Sequence, residues 1–291
     1  MRKSIISLVA AGLIAGLAPA MAQGVPDGDV PTELVLGMVP SREGGQLVDS
    51  LDRIADYLSA ELLIPVKTFV STNYVGLIEA MGTGRVDIGM FGPSSLVQAV
   101  DLYGAEIILG TVRFGETSYY AQFSVRNDSG ITEFSDLVGR TIAFVDPGSS
   151  SGYQFPYVFL KTEHGIDANT DMNSIFAGSH DAAVIAMYLG DVDVSLSFND
   201  AREDVQGDYP DILEVTNVLG YTSPIPNDGV VVRSGLDADL VTQIQDALIG
   251  LGDSEEGVAM LNDLFNASGL DYVDPEVFNI VREVASEFSR D

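Results

Sequence analysis

The sequence has no cysteine and no tryptophan, only two histidines, and only three lysines, Lys3, Lys67 and Lys161. The missing cysteine excludes a disulfide-stapled scaffold, a thiolate zinc centre, an iron–sulfur cluster and a cysteine nucleophile. Two distant histidines, His164 and His180, with no His-Glu-x-x-His, argue against a zinc hydrolase. Basic residues are scarce altogether, 14 against 43 acidic ones, for a formal net charge of −29. Nucleic acids and anionic membranes would repel such a chain, so neither is expected as a partner. What remains is ordinary globular composition, with 46% apolar residues in 291. That length suits one large domain or two of roughly 100–150 residues.

The first 22 residues read as an export signal rather than as fold. Arg2 and Lys3 precede an apolar run from Ile5 to Ala18, and Ala20-Met21-Ala22 offers small residues for cleavage before Gln23. The run is too short to span a bilayer comfortably, and no lipid-accepting cysteine follows it. A periplasmic location is expected. An exported, acidic, lysine-poor protein also suggests a saline medium that screens self-repulsion.

Downstream, strands and helices alternate. Leu34 to Val39, Pro65 to Val70 and Val86 to Phe91 read as strands. Leu47, Leu51, Ile54, Ala55, Leu58 and Leu62 recur at helical spacing between the first two, and Asn73 to Met81 reads as the next helix. The order repeats with strands Thr141 to Val145 and Val192 to Ser197 and helices Gly152 to Glu163 and Asp181 to Leu189. Extended runs Tyr119 to Val125 and Gly229 to Arg233 connect the halves, and Asp237 to Ser289 is helical by period. The pattern predicts an α/β fold of two lobes, each a mostly parallel sheet flanked by helices, with a ligand cleft between them.

The most specific local signal is Asp146-Pro147-Gly148-Ser149-Ser150-Ser151-Gly152, after a strand and opening a helix. Glycines admit a close ligand, and free amides at a helix start favour an anion. Three hydroxyls add donors without charge. The alternative is a serine-rich turn with an N-cap. No lysine follows, so this is not a Walker loop, but Gly148-Ser149-Ser150-Ser151-Gly152 does match the nucleophile elbow Gly-x-Ser-x-Gly. A Ser150/His180 hydrolase therefore competes, although the order Ser, His, Asp differs from that of elbow hydrolases. His180 either caps a helix or donates to the same anion. His164 reads as a surface cap. Asp167 to Asp171 starts like a calcium loop, yet Met172 and Gly178 stand where glycine and glutamate are needed. No metal and no cofactor is expected. Tyr74 and Phe91 sit at strand–helix junctions, either as core packing or facing the cleft. Composition alone does not distinguish Asp200 or Asp228.

Taken together, these segments resemble the substrate-binding proteins of phosphonate/phosphite ABC importers. The likeness runs from about residue 33 to 285. It is carried by Gly37-Met38-Val39-Pro40, Asn73-Tyr74-Val75-Gly76-Leu77-Ile78, Val86-Asp87-Ile88-Gly89 with Phe91-Gly92-Pro93, Pro147 to Gly152, Ala177-Gly178-Ser179-His180-Asp181-Ala182, Gly190 to Val194, and Ser223 to Asp228. The resemblance implies a type II periplasmic binding protein, without catalysis, that delivers a small phosphorus oxyanion (phosphonate, phosphite or phosphate-like) to a membrane permease and works as a monomer. It implies that Ser149, Ser150, Ser151, Tyr74 and His180 hold the phosphorus oxygens, and that Asp200 and Asp228 align with acids that hold an aminoalkyl ammonium. Phe91 stands where aminoalkylphosphonate binders tend to have tyrosine, and Asp200 where they have the longer glutamate. By the same analogy lobe one would be 23–115 with 229–291, and lobe two 116–228. A sensor presenting the same ligand to a signalling receptor is a further reading.

Overall fold

The computed structural model describes residues 28–42, 44–113 and 115–288. The expected export signal lies outside them. Among the described residues no helix is long and apolar enough to cross a membrane.

The first half runs β1 (Leu34–Met38), α1 (Gly44–Leu62), β2 (Val66–Val70), α2 (Tyr74–Gly82), β3 (Ile88–Phe91), α3 (Pro93–Tyr103) and β4 (Glu106–Val112). The chain then crosses through β5 (Ser118–Tyr119) into β6 (Ala121–Arg126), β7 (Thr141–Phe144), α4 (Phe155–His164), β8 (Asn173–Phe176), α5 (His180–Leu189), β9 (Val194–Phe198), the short α6 (Ala201–Asp204) and α7 (Ile212–Val215), and β10 (Thr216–Tyr221). It returns through β11 (Ile225–Pro226) to β12 (Gly229–Val232), α8 (Ala238–Gly250), α9 (Glu255–Phe265), β13 (Gly269–Asp271) and α10 (Asn279–Phe288).

Two sheets result, ordered β13-β4-β12-β3-β1-β2 and β10-β6-β9-β7-β8. β1 is parallel to both β2 and β3, and β7 is parallel to both β8 and β9, as the strand–helix alternation requires. The strand that enters each sheet after a crossing runs the other way: β12 is antiparallel to β3 and β4, and β6 to β9 and β10. Between the sheets, β5 and β11 pair as two short antiparallel strands, Tyr119 opposite Ile225. Two extended strands are therefore the crossing, a geometry suited to hinge bending.

The apolar stripe of α1 is buried as its spacing predicts, with Leu51, Ile54 and Leu58 fully covered against β1, α8 and α9. Several elements have no counterpart in the sequence reading, β4, β8, β10 and β13 among them. β13 interrupts the carboxy-terminal stretch expected to be helical; at three residues on a sheet edge it is too short to show a period. β8 is an edge strand with all four residues exposed, so it lacks the apolar pattern by which strands are read. The last helix, α10, carries Phe288 against Tyr153 and Tyr157, with ring centroids 5.1 and 4.8 Å apart. It thus straps the end of the chain to the lobe built on the five-stranded sheet.

Candidate functional site

The serine loop follows β7 and is held from within. The Asp146 carboxylate accepts from the Gly148 amide at 2.8 Å, and the Asp146 carbonyl accepts from the Ser149 amide at 2.9 Å. Ser149 is the N-cap, its Oγ accepting from the Gly152 amide at 3.0 Å. The helix opens with a π-turn, Ser150–Gln154, before α4. Gly152 has to be glycine, because a Cβ there would sit 2.4 Å from Val145 Cβ. The amides of Ser150 and Ser151 come first in this helix, so they have no partner in a preceding turn and carry the positive end of its dipole. All three serines are buried.

The other lobe closes over this loop. The Ser94 amide, at the start of α3, donates to Ser150 Oγ at 2.8 Å, and Ser95 Oγ donates to the Gly148 carbonyl at 3.0 Å. The His180 amide donates to the Ser41 carbonyl at 3.0 Å. Tyr74 opens α2 behind the N-cap Asn73, and its Cβ packs so closely that a Cβ on Gly148 would lie 2.7 Å away. Burial, then the Asp146 carboxylate, push the Tyr74 phenol up, despite a hydrogen bond with Ser149. Tyr119, on the crossing strand β5, is also pushed up, by burial and then by Asp228, and it hydrogen-bonds with Ser151 and Ser150. Both remain neutral phenols able to donate.

His180 starts α5 behind the N-cap Ser179. Its Nδ1 accepts from the Phe198 amide at 3.3 Å, which places the proton on Nε2. Burial, then the Arg42 and Arg113 guanidiniums, lower its pKa to about 3. The ring is thus a neutral N–H donor across the working pH range.

Serine loop, Tyr74, Tyr119 and His180 converge on one cavity of about 50 Å³. Asp228 also lines it, and there the structure adds what the sequence reading missed: Arg113 Nη2 holds Asp228 Oδ2 at 3.0 Å. The Arg113 guanidinium lies 4.7 Å from the Tyr119 ring centroid and 6.0 Å from that of Phe198. Burial raises the Asp228 pKa, and the Arg113 charge and hydrogen bond oppose the rise. A second missed cation, Arg42, lines the cavity and reaches across to Asp204 at 3.2 Å. The available signal was scarcity: in a chain this poor in basic residues, arginines at strand ends facing a cleft stand out.

Two expected residues are not brought to the cavity. Phe91 is fully buried in the apolar core, its ring lying over the Cα of Gly89, while its neighbours Met90 and Gly92 line the site. Alternation along β3 sends its side chain to the other face. Asp200 is exposed, with a left-handed backbone (φ 65°), and lines a separate outer chamber of about 550 Å³ with Glu116, Glu203 and Asp204. The calcium-like loop satisfies itself: Asp167 Oδ1 accepts from the Asn169 amide and Asp171 Oδ2 from the Asp167 amide.

A family model for the periplasmic substrate-binding protein of phosphonate ABC transporters matches residues 36–278. The chain belongs to this family. Among its relatives, the phosphate-import protein PhnD of Mycolicibacterium smegmatis is 30% identical over 194 residues, 62% of this chain and 60% of that protein. The phosphonates-binding periplasmic protein of Escherichia coli is 27% identical over 212 residues, 71% of this chain and 62% of that one. The matches thus span about three-fifths of each relative's length. The structure of PhnD1 from Prochlorococcus marinus in complex with methylphosphonate superposes with a TM-score of 0.81 at 19% identity, covering 90% of this chain and 100% of that one. At that identity the likeness establishes the fold, a two-lobed type II periplasmic binding protein.

Proposed function

We propose that this member of the family captures a compact phosphorus oxyanion in the periplasm and delivers it to the permease of an ABC importer. The observation that carries the reading is the convergence on one small cavity of neutral donors from both lobes. Ser149, Ser150 and Ser151 with two helix-start amides stand on one side, Tyr74 on the other, and His180 Nε2–H and Tyr119 between them. Neutral donors and a helix terminus suit an oxyanion inside a strongly acidic protein, and the two guanidiniums on the cavity, Arg113 and Arg42, are paired with Asp228 and Asp204. The lobes, 23–115 with 229–291 against 116–228, would open about the β5–β11 crossing, with the end of α10 reaching across to Tyr153 and Tyr157, and close on the ligand, and the relatives' names support a phosphorus ligand.

Size narrows the ligand. A water needs about 10–15 Å³ of such space, so a 50 Å³ cavity takes roughly three to five atoms of that size. Phosphite, methylphosphonate and phosphate fit that count; a long aminoalkyl chain exceeds it. The Asp228 charge is already paired with Arg113 through Oδ2, and Asp200 lies outside.

The geometry speaks against hydrolysis by Ser150 and His180. His180 Nδ1 accepts from a backbone amide, where a catalytic histidine would donate to a carboxylate. With a pKa near 3 the ring is also a weak base, and Ser150 Oγ is engaged by the Ser94 amide. Calorimetry against phosphite, methylphosphonate, phosphate and 2-aminoethylphosphonate tests the reading. Tight binding is expected among the first three, and no binding to any of them would refute it.

A further inference from the structure

The 50 Å³ inner cavity and the 550 Å³ outer chamber share two side chains, Arg113 and Tyr119. Beyond that partition the outer chamber is acidic, with Glu116, Asp200, Glu203 and Asp204 on its walls. The inner side holds one further carboxylate, Asp228, which Arg113 neutralises at 3.0 Å. Arg113 itself is seated against the Tyr119 and Phe198 rings, and its Nε is buried without a hydrogen-bond partner. A buried guanidinium N–H left unmet is costly, and arginine offers its donors as a rigid planar fork. With Nη2 held by Asp228 Oδ2, the neighbouring Nε–H is a donor that no protein group meets and that an anion in the cavity would satisfy.

We propose that Arg113 is the specificity-determining residue of this site: it donates to the bound oxyanion, walls off the acidic chamber, and so restricts the protein to compact oxyanions while excluding aminoalkyl ones. The inference rests on the oxyanion reading above and adds the substituent that the site refuses. An ammonium-bearing ligand needs a carboxylate and room for its chain. Arg113 denies it both, by pairing with Asp228 and by filling the opening toward Asp200, Glu203 and Asp204. Shortening Arg113 removes both obstacles in one step.

The test is calorimetry of the full mature chain with methylphosphonate and 2-aminoethylphosphonate, for the parent, Arg113→Ala, Arg113→Lys and Arg113→Ala/Asp228→Asn. The parent should prefer methylphosphonate by at least about 100-fold, in line with the cost of burying an unpaired charge. Arg113→Ala should weaken methylphosphonate by roughly 10- to 100-fold, the loss of one charge-assisted bond, and should strengthen 2-aminoethylphosphonate. Adding Asp228→Asn should cancel that gain. Arg113→Lys keeps the charge and most of the wall but lacks the planar fork, so methylphosphonate should weaken about tenfold with its preference retained. If Arg113→Ala does not melt cooperatively, the parent and Arg113→Lys decide: equal parental affinity for the two ligands, or unchanged methylphosphonate affinity in Arg113→Lys, overturns the proposal. A folded Arg113→Ala with the parental ranking overturns it as well. A parent that binds no phosphorus oxyanion would sink the underlying reading and the proposal together; a parent that binds, with Arg113 variants unchanged, sinks the proposal alone.

Discussion

Ser150 and Ser151 are adjacent, both buried and both at the helix start, yet their loss should differ. Each hydroxyl offered to an oxyanion makes a charge-assisted bond worth about 1.5–3 kcal/mol. Ser150 has a second duty, because its Oγ accepts the Ser94 amide of the opposite lobe at 2.8 Å. In Ser150→Ala that amide loses its acceptor whenever the lobes close, at a cost of about 1–3 kcal/mol. On the proposed closure of the lobes around the ligand, the cost appears in the measured affinity. Even at the lower ends the two contributions reach about 2.5 kcal/mol, or roughly 70-fold in Kd. Both hydroxyls also meet Tyr119, so what separates them is the Ser94 bond: Ser151→Ala lacks that second contribution and should weaken binding roughly tenfold at the lower end. Titration calorimetry with methylphosphonate or phosphite gives both numbers, and stopped-flow fluorescence should place most of the Ser150 effect in the off-rate. A Ser150→Ala protein within about threefold of the parent, or no weaker than Ser151→Ala, would refute the argument that this hydroxyl joins ligand and lobe closure.

Three other outcomes follow from the same geometry. His180 has its pKa depressed from 6.5 to about 3, so between those values the unfolded chain binds a proton that the fold refuses. Stability should therefore fall as pH drops through that window, by up to about 1.4 kcal/mol per unit, and the fall should be shallower in His180→Asn; Asp228 and Asp204, raised and so opposite in sign, are common to both proteins, and equal slopes in urea melts would contradict the assignment. Arg233→Met should destabilise the protein by about 3 kcal/mol, because it strands the buried Asp87 carboxylate that Arg233 Nε holds at 2.7 Å; a loss under about 1 kcal/mol in denaturant unfolding would count against it. Asp200→Asn should leave affinity within about twofold, as an exposed residue outside the cavity, and a larger change in calorimetry would return Asp200 to the site.

The part of the candidate site that is legible in the sequence lies in short signatures at strand-to-helix junctions. The serine loop, Asn73-Tyr74 and Ser179-His180 each place a polar side chain or free amide at a helix start, and local sequence sets that geometry. Phe91 was misplaced because β3 is buried on both faces, so its apolar run carries no alternation to say which side chain meets the cleft. The role of Asp200 depends on the left-handed turn at its own position, which composition does not announce. Arg113 and Asp228 meet across 115 positions, through the pairing of β4 with β12 and the crossing strands. That meeting is a property of the topology, and no window of sequence contains it. The same holds for α10, whose period gave a helix but not the Phe288 contact that fastens it to the second lobe.

On the proposed function, the small cavity between the serine loop, Tyr74 and His180 is where the oxyanion is held. A crystal structure grown with methylphosphonate tests it directly. Phosphonate oxygens are expected within about 2.7–3.2 Å of the Ser150 and Ser151 amides and His180 Nε2, with Arg113 Nε bonded to the ligand and the methyl group turned toward Met90 and Phe265. Methylphosphonate seated instead in the outer chamber beside Asp200, or lobes closed on an unoccupied inner cavity at saturating ligand, would contradict it.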